Sequence, residues 1–236
     1  HFFYEAVSMM PETELPLKRG ENKEDLLDEL VPVIFDEEIL PKRVNQTDGV
    51  DLVATSACNF YEDVTQDEVE RFYAKLKDGE DLTPPSYGLN SKLMKRNGEI
   101  VEKTWKEEGM YGSAIKEIIS WLLKAQKYAE NEQQAHVIDL LIKYYRTGDL
   151  SDFDRYSIAW VKQQEGMVDF INGFIEVYGD PLGLKGTWEG LVEFKDMKAT
   201  RRTQAISQNA QWFEDHSPVA PQFKKAEVKG VTAHAI

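Results

Sequence analysis

An α+β fold is predicted for this chain by three features. Helix-capping signals precede apolar residues at helical spacing, an Asn97-Gly98 dipeptide joins two strand-like runs, and VDFINGFIE (Val168 to Glu176) reads as a buried strand. Strands and helices are mixed without the regular βαβ alternation of a parallel sheet, which separates α+β from α/β. With 236 residues the chain holds one or two domains and can bury a sizeable core.

The elements follow in order. Asn22 caps a helix through KEDLLDEL, with Leu26, Leu27 and Leu30 on one face and Pro32 as the exit. DLVATSACNFY, from Asp51 to Tyr61, is rich in small and β-branched residues and reads as a buried strand. Thr65 and Glu68 form a capping box before Val69, Phe72, Tyr73 and Leu76, and Gly79 supplies the stop. Asn97-Gly98 is a type I′ turn signal joining GLNSKLMKR to EIVEKTWKE as a hairpin. Three helices are predicted next: 113–130, burying Ile115, Ile118, Ile119, Leu122 and Ala125; 132–147, capped by Asn131 and closed by Gly148; and a third starting from Ser151. The buried strand and a DPLG loop precede a long helix over 188–212, the connector HSPVAPQFKK and a last strand, VKGVTAHAI.

Composition narrows the function classes. The net charge of -14 argues against a nucleic-acid binder, because phosphates demand a basic footprint, and against anionic membranes. Cationic ligands, including a peptide's terminal ammonium, stay compatible. One cysteine, Cys58, rules out an internal disulfide and fits a reducing, cytoplasmic setting; a packed thiol is the plainer reading than a nucleophile. No apolar run approaches the roughly 18 residues of a spanning helix, and no secretory signal opens the chain. Both ends, HFFYEAV and GVTAHAI, look cut.

No local motif supplies a complete catalytic set. The histidines, His1, His136, His216 and His234, lie far apart, and HExxH, GxSxG, P-loop and GxGxxG patterns are missing. Asp169 and Glu176 could be the carboxylate pair of a glycosidase, but residues seven apart on a regular strand point to opposite faces unless Gly173 hosts a bulge. A recognition role suits them better: a half-buried carboxylate beside an amide, Asn172, accepts charge-assisted hydrogen bonds from an ammonium group.

These residues carry a resemblance. VDFINGFIEVYGDPLGLKGTWEG resembles the GFIE-x-Y-x-DP-x-G segment of the dipeptidyl peptidase III family of zinc exopeptidases. KRVNQTDGVDLVATSACNFYEDVTQDE, SYGLNSKLMKRNGEIVEKTW, KYYRTGDLSDFDRYSIAWVK and NAQWFEDHSPVAPQFKKAEVKGV are similar to its Bacteroides-type bacterial branch. The resemblance implies two lobes facing across a cleft. Residues 1–190 would form a lobe with a β-barrel-like core and flanking helices; 191–229 would enter the zinc lobe, and 230–236 would return as a strand. It further implies zinc in the full-length enzyme, held by an HExxGH motif and a downstream glutamate, neither of which this sequence contains. The chain would then be an internal fragment that binds no zinc and is inactive by itself, forming one wall of a peptide-substrate cleft. Its partners would be the peptide and the remaining lobe of the same polypeptide.

The resemblance also assigns site residues. Aligned on Gly173-Phe174, Asp169 falls where the family holds the substrate's amino terminus. Ile171 stands where many members carry a tyrosine, and Asn172 beside Gly173 would supply a compensating hydrogen bond. Strand alternation sends Asp169 and Asn172 to opposite faces, and Asp169 is the first choice for the cleft. The alternative is a stand-alone, non-catalytic interaction domain.

Overall fold

The computed structural model describes residues 1–229. They divide into two units interleaved along the chain: His1–Pro84, Ser91–Lys103 and Val177–Gly186 make the first, and Pro85–Asn90, Thr104–Glu176 and the residues from Thr187 onward make the second.

The first unit is loop-rich. It opens with α1 (Phe2–Met9) and α2 (Lys23–Phe35). Asn22 caps α2 as expected, its Oδ1 accepting the Glu24 and Asp25 amides at 2.8 and 3.1 Å. The helix does not exit at Pro32 but runs on to Phe35, since a proline so near the C-terminus removes only one hydrogen bond. The strand expected over Asp51–Tyr61 is mostly turns. Asp51 Oδ1 accepts the amides of Val53 and Ala54, and its carbonyl accepts that of Thr55, so the short polar side chain curls the backbone away from a ladder. Only β1 (Tyr61–Glu62) is extended. α3 (Gln66–Ala74) starts from the Thr65–Glu68 capping box. It stops well before Gly79, where the Leu76 and Lys77 amides tighten onto the Tyr73 and Ala74 carbonyls.

β2 (Ser91–Arg96) and β3 (Glu99–Thr104) form the expected hairpin, with Asn97 at φ +53° and Gly98 at +86°, the pair of positive values a type I′ turn requires. β1 pairs parallel with β2, Tyr61 against Leu93, giving the order β1-β2-β3.

The second unit is built on helices. α4 (Gly112–Ala125) runs into a 3₁₀ turn at Gln126–Tyr128 and buries Ile115 and Ile119. α5 (Glu132–Thr147) has Asn131 at its cap, accepting the Gln134 amide at 2.8 Å, and Gly148 at φ +69° closing it. It buries Val137, Ile138, Leu141, Ile142, Tyr144 and Tyr145, the apolar stripe of the unit's core. α6 (Leu150–Lys162) begins earlier than Ser151, because Asp149 is the cap and accepts the Ser151 amide. β4 (Val168–Glu176) is the expected strand.

The helix predicted over 188–212 is corrected. Thr187–Phe194 is a strand, β5, antiparallel to β4 with Asp169 opposite Glu193 and Asn172 opposite Gly190. TWEGLVEF is rich in aromatic and β-branched residues and carries a mid-segment glycine, a poor helix that gains backbone bonds by pairing with β4. The helices come later and shorter: α7 (Met197–Gln208), capped by Asp196, and α8 (Ala210–His216). Among the described residues the strands form a three-stranded and a two-stranded sheet rather than a closed barrel. The last expected strand lies almost wholly outside the described residues. No described helix is long and apolar enough to cross a membrane.

Candidate functional site

The β4–β5 ribbon places the sequence-predicted residues. Alternation is regular from Val168 to Phe174; the register shifts only between Phe174 and Glu176, past Gly173, the one position where a bulge would have reset the faces of Asp169 and Asn172. Asp169 and Asn172 therefore do face opposite ways. Asp169 is half-buried, and one of its oxygens accepts the Phe170 amide at 2.8 Å. On the same face Gly173 is buried against α6: a Cβ there would sit 3.2 Å from the Phe153 ring. The Tyr156 phenol, also on α6, is held protonated chiefly by burial, with Tyr145 and the Asp169 charge adding to the effect.

Asn172 looks into a cavity of about 510 Å³ within the second unit. The ribbon supplies Phe170, Ile171, Trp188 and Val192 to it, and the helices supply Leu122, Ala125 and Ile138. The Asn172 amide is held by a relay. Tyr145 O–H donates to Asn172 Oδ1 at 2.5 Å, and Trp188 Nε1–H donates to the Tyr145 oxygen at 2.9 Å. Burial keeps the Tyr145 phenol neutral by raising its pKa.

The start of β4 is pinned by side chains from the helical side. Glu130 accepts the Met167 and Val168 amides at 2.8 and 2.9 Å, which holds its carboxyl below the usual range. Gln134 Nε2 donates to the Val168 carbonyl and Trp160 Nε1 to that of Phe170.

A second cluster lies in the first unit, around Lys185. Its side chain is fully buried; Nζ donates to the Tyr73 hydroxyl and, at 2.9 Å, to Ser91 Oγ. Both hydroxyls donate to Glu102 Oε1 at 2.6 Å, so two neutral bridges join the cation to a counter-ion that lies 3.8 Å from Nζ. Asp180 accepts the amides of Leu184 and Lys185 and the Tyr61 hydroxyl at 2.8 Å, folding the DPLG loop back on itself. Burial pushes Lys185 down to about 8, against the pull of Glu102 and Asp180. Sequence reading did not single out Lys185, Tyr73, Glu102, Tyr145 or Trp188 for such roles. Asp180, in an Asp-Pro turn signal, was the most findable.

The residues present do not fit a metal ion: among the described residues no three His, Cys, Asp or Glu side chains gather.

Residues 86–230 match the sequence model described as "Peptidase family M49". The chain belongs to peptidase family M49. Among curated relatives, "Dipeptidyl peptidase 3" of Homo sapiens is 27% identical over 117 residues, 50% of this chain and 16% of that protein. "Dipeptidyl peptidase 3" of Dictyostelium discoideum is 28% identical over 117 residues, 50% of this chain and 17% of the relative. The M49 chain thus spans under a fifth of these relatives. In fold it is similar to "Structure of DPP III from Caldithrix abyssi", with TM-score 0.60 and 17% identity over 95% of this chain and 40% of that one. For "Structure of dipeptidyl-peptidase III from Corallococcus sp. strain EGB" the TM-score is 0.54 and the identity 19%, over 72% of this chain and 30% of that one.

Proposed function

We propose that this chain is part of a dipeptidyl peptidase that releases dipeptides from the N-terminus of peptides, and that it supplies one wall of the peptide site. The observation that carries the reading is the M49 match across residues 86–230, joined to relatives named dipeptidyl peptidase 3. An exopeptidase must count from the chain end, and the terminal ammonium is the charge that marks it.

Asp169 is the candidate for that contact. It is half-buried on a strand anchored by helix side chains, and no ion pair reaches it among the described residues. Charge-assisted hydrogen bonds to an ammonium contribute about 1.5–3 kcal/mol each, enough to favour a free amine over a blocked one. Ile171 and Gly173 share its face of β4 and would flank it there, while Asn172 turns to the other face. Zinc chemistry, if the full-length enzyme uses it, comes from residues other than those described, and this span by itself is inactive. A reducing, cytoplasmic setting completes the reading, supported by the lone Cys58.

The test is Asp169→Asn in the full-length gene product, assayed with a free-amine tetrapeptide and its N-acetylated twin. The variant should lose about tenfold or more in kcat/KM for the free amine. An unchanged value for the free-amine peptide removes Asp169 from the role.

A further inference from the structure

Asn-Gly occurs twice in the sequence, at Asn97-Gly98 and at Asn172-Gly173, and the fold treats the two dipeptides differently. The pair is chemically labile wherever the backbone can bring the glycine amide nitrogen onto the asparagine side-chain carbonyl, since glycine has no Cβ to obstruct that approach. At Asn97-Gly98 nothing obstructs it. Both residues are exposed at the tip of the β2–β3 hairpin, both hold positive φ, and a Cβ at Gly98 would meet no atom within 4 Å. Neither the Asn97 side chain nor the Gly98 amide forms a hydrogen bond among the described residues. At Asn172-Gly173 three contacts oppose it. The Asn172 oxygen accepts the Tyr145 hydroxyl at 2.5 Å, and Gly173 is laddered opposite Glu189 of β5. Gly173 is also buried, with the Phe153 ring 3.2 Å from where a Cβ would stand.

We propose that Asn97 is a site of spontaneous covalent modification: it loses its side-chain amide through a cyclic imide, Asn172 is protected from the same reaction, and the rearranged product loosens the β2–β3 hairpin. The Gly98 nitrogen attacks Asn97 Cγ. The new N–Cγ bond forms as the Cγ–Nδ2 bond breaks, and the Gly98 amide proton leaves with the side-chain nitrogen as ammonia. Solvent water then opens the imide. Attack at the side-chain carbonyl leaves an ordinary aspartate at position 97; attack at the main-chain carbonyl leaves an isoaspartate, whose backbone runs through the side-chain methylene. That extra backbone atom does not fit a two-residue type I′ turn, whose twist matches the strands only through its own pair of positive φ values. The damage reaches beyond the tip. β2 carries Ser91 and β3 carries Glu102; the Ser91 hydroxyl donates to Glu102 at 2.6 Å and accepts from Lys185 at 2.9 Å. A hairpin out of register would pull that buried cluster apart.

The experiment incubates the full-length gene product in mildly alkaline buffer, folded and urea-unfolded, then maps both sites by trypsin digestion and mass spectrometry. Cleavage after Arg96 and Lys103 isolates Asn97, and cleavage after Lys162 and Lys185 isolates Asn172. In the unfolded chain the two should react at rates within about twofold of each other; in the fold Asn97 should outpace Asn172 by about tenfold or more, because a buried strand reacts only through rare local opening. Asn97→Gly keeps a residue that takes positive φ and removes the amide. After incubation the isoaspartate-bearing parent should melt below the fresh protein, while incubated Asn97→Gly should match its own fresh sample. Equal rates at the two sites in the fold, or no reaction at Asn97, overturn the site. A parent that carries isoaspartate at position 97 yet melts as fresh, or an equal loss in Asn97→Gly, overturns the loosened hairpin.

Discussion

The two units bury their interiors by different means. In the second, α5 lays an apolar stripe from Val137 to Tyr145 into the core, and its stability is a sum of many small burials, each contributing about 1.5–3 kcal/mol per large side chain. In the first, the buried set includes apolar residues such as Val69, Tyr73 and Leu93 but also a charged group, and Lys185 is tolerated only because Tyr73, Ser91 and Glu102 all answer it. A stripe loses stability gradually when trimmed. A polar hub fails when one member is removed, because the others stay buried without their partner.

The largest effect should come from Lys185→Ala. It strands Glu102 and two hydroxyls and should lower unfolding free energy by about 3–5 kcal/mol in urea titrations. Lys185→Met refills the volume but leaves Glu102 without its cation as well, so it should recover only the cavity part of that loss, about 1–2 kcal/mol. A Lys185→Met variant as stable as the parent would break the contrast between hub and stripe.

The next effect is pH-dependent. Lys185 titrates near 8 in the fold and at its ordinary 10.5 when unfolded, so between pH 8 and 10 the unfolded chain holds a proton the fold has released. Stability should therefore rise with pH across that window, by about 2–3 kcal/mol. Below pH 8 this contribution is flat. Above pH 10 the buried phenols of Tyr61 and Tyr73, raised mainly by burial, reverse the slope because the unfolded chain loses those protons first. Lys185→Met should abolish the rise between pH 8 and 10 in chemical denaturation series.

Smaller effects sharpen the picture of the second unit. Gly148→Ala places a Cβ 2.6 Å from Thr104 at a φ of +69° and should destabilise by about 1–2 kcal/mol in thermal melts. Asn131→Ala removes the α5 cap and should cost about 1 kcal/mol by the same measurement. If either matches Lys185→Ala, the second unit is as brittle as the first.

Legibility in the sequence followed the same division. The caps at Asn22, Thr65 and Asn131 and the Asn97-Gly98 turn could be read because each acts on neighbours within four residues. The strand expected over 51–61 failed because Asp51 bonds its own backbone locally and outcompetes β-propensity. The helix expected over 188–212 failed because the partner of Thr187–Phe194 is β4, and nothing within TWEGLVEF names it. At the site, Asn172 and Asp169 stood out as polar breaks in an apolar strand. The relay behind Asn172 did not, since Tyr145 and Trp188 are 43 residues apart in sequence.

By itself, then, the sequence determined the α+β character, the helix starts, the hairpin and the opposed faces of Asp169 and Asn172, all consequences of short-range geometry. Tertiary structure alone decided that β5 pairs with β4, that Asn172 is held by Tyr145, and that Lys185 is sealed among hydroxyls and carboxylates. Those outcomes depend on which distant groups meet, and burial and hydrogen-bond partnership exist only once the chain has brought them together.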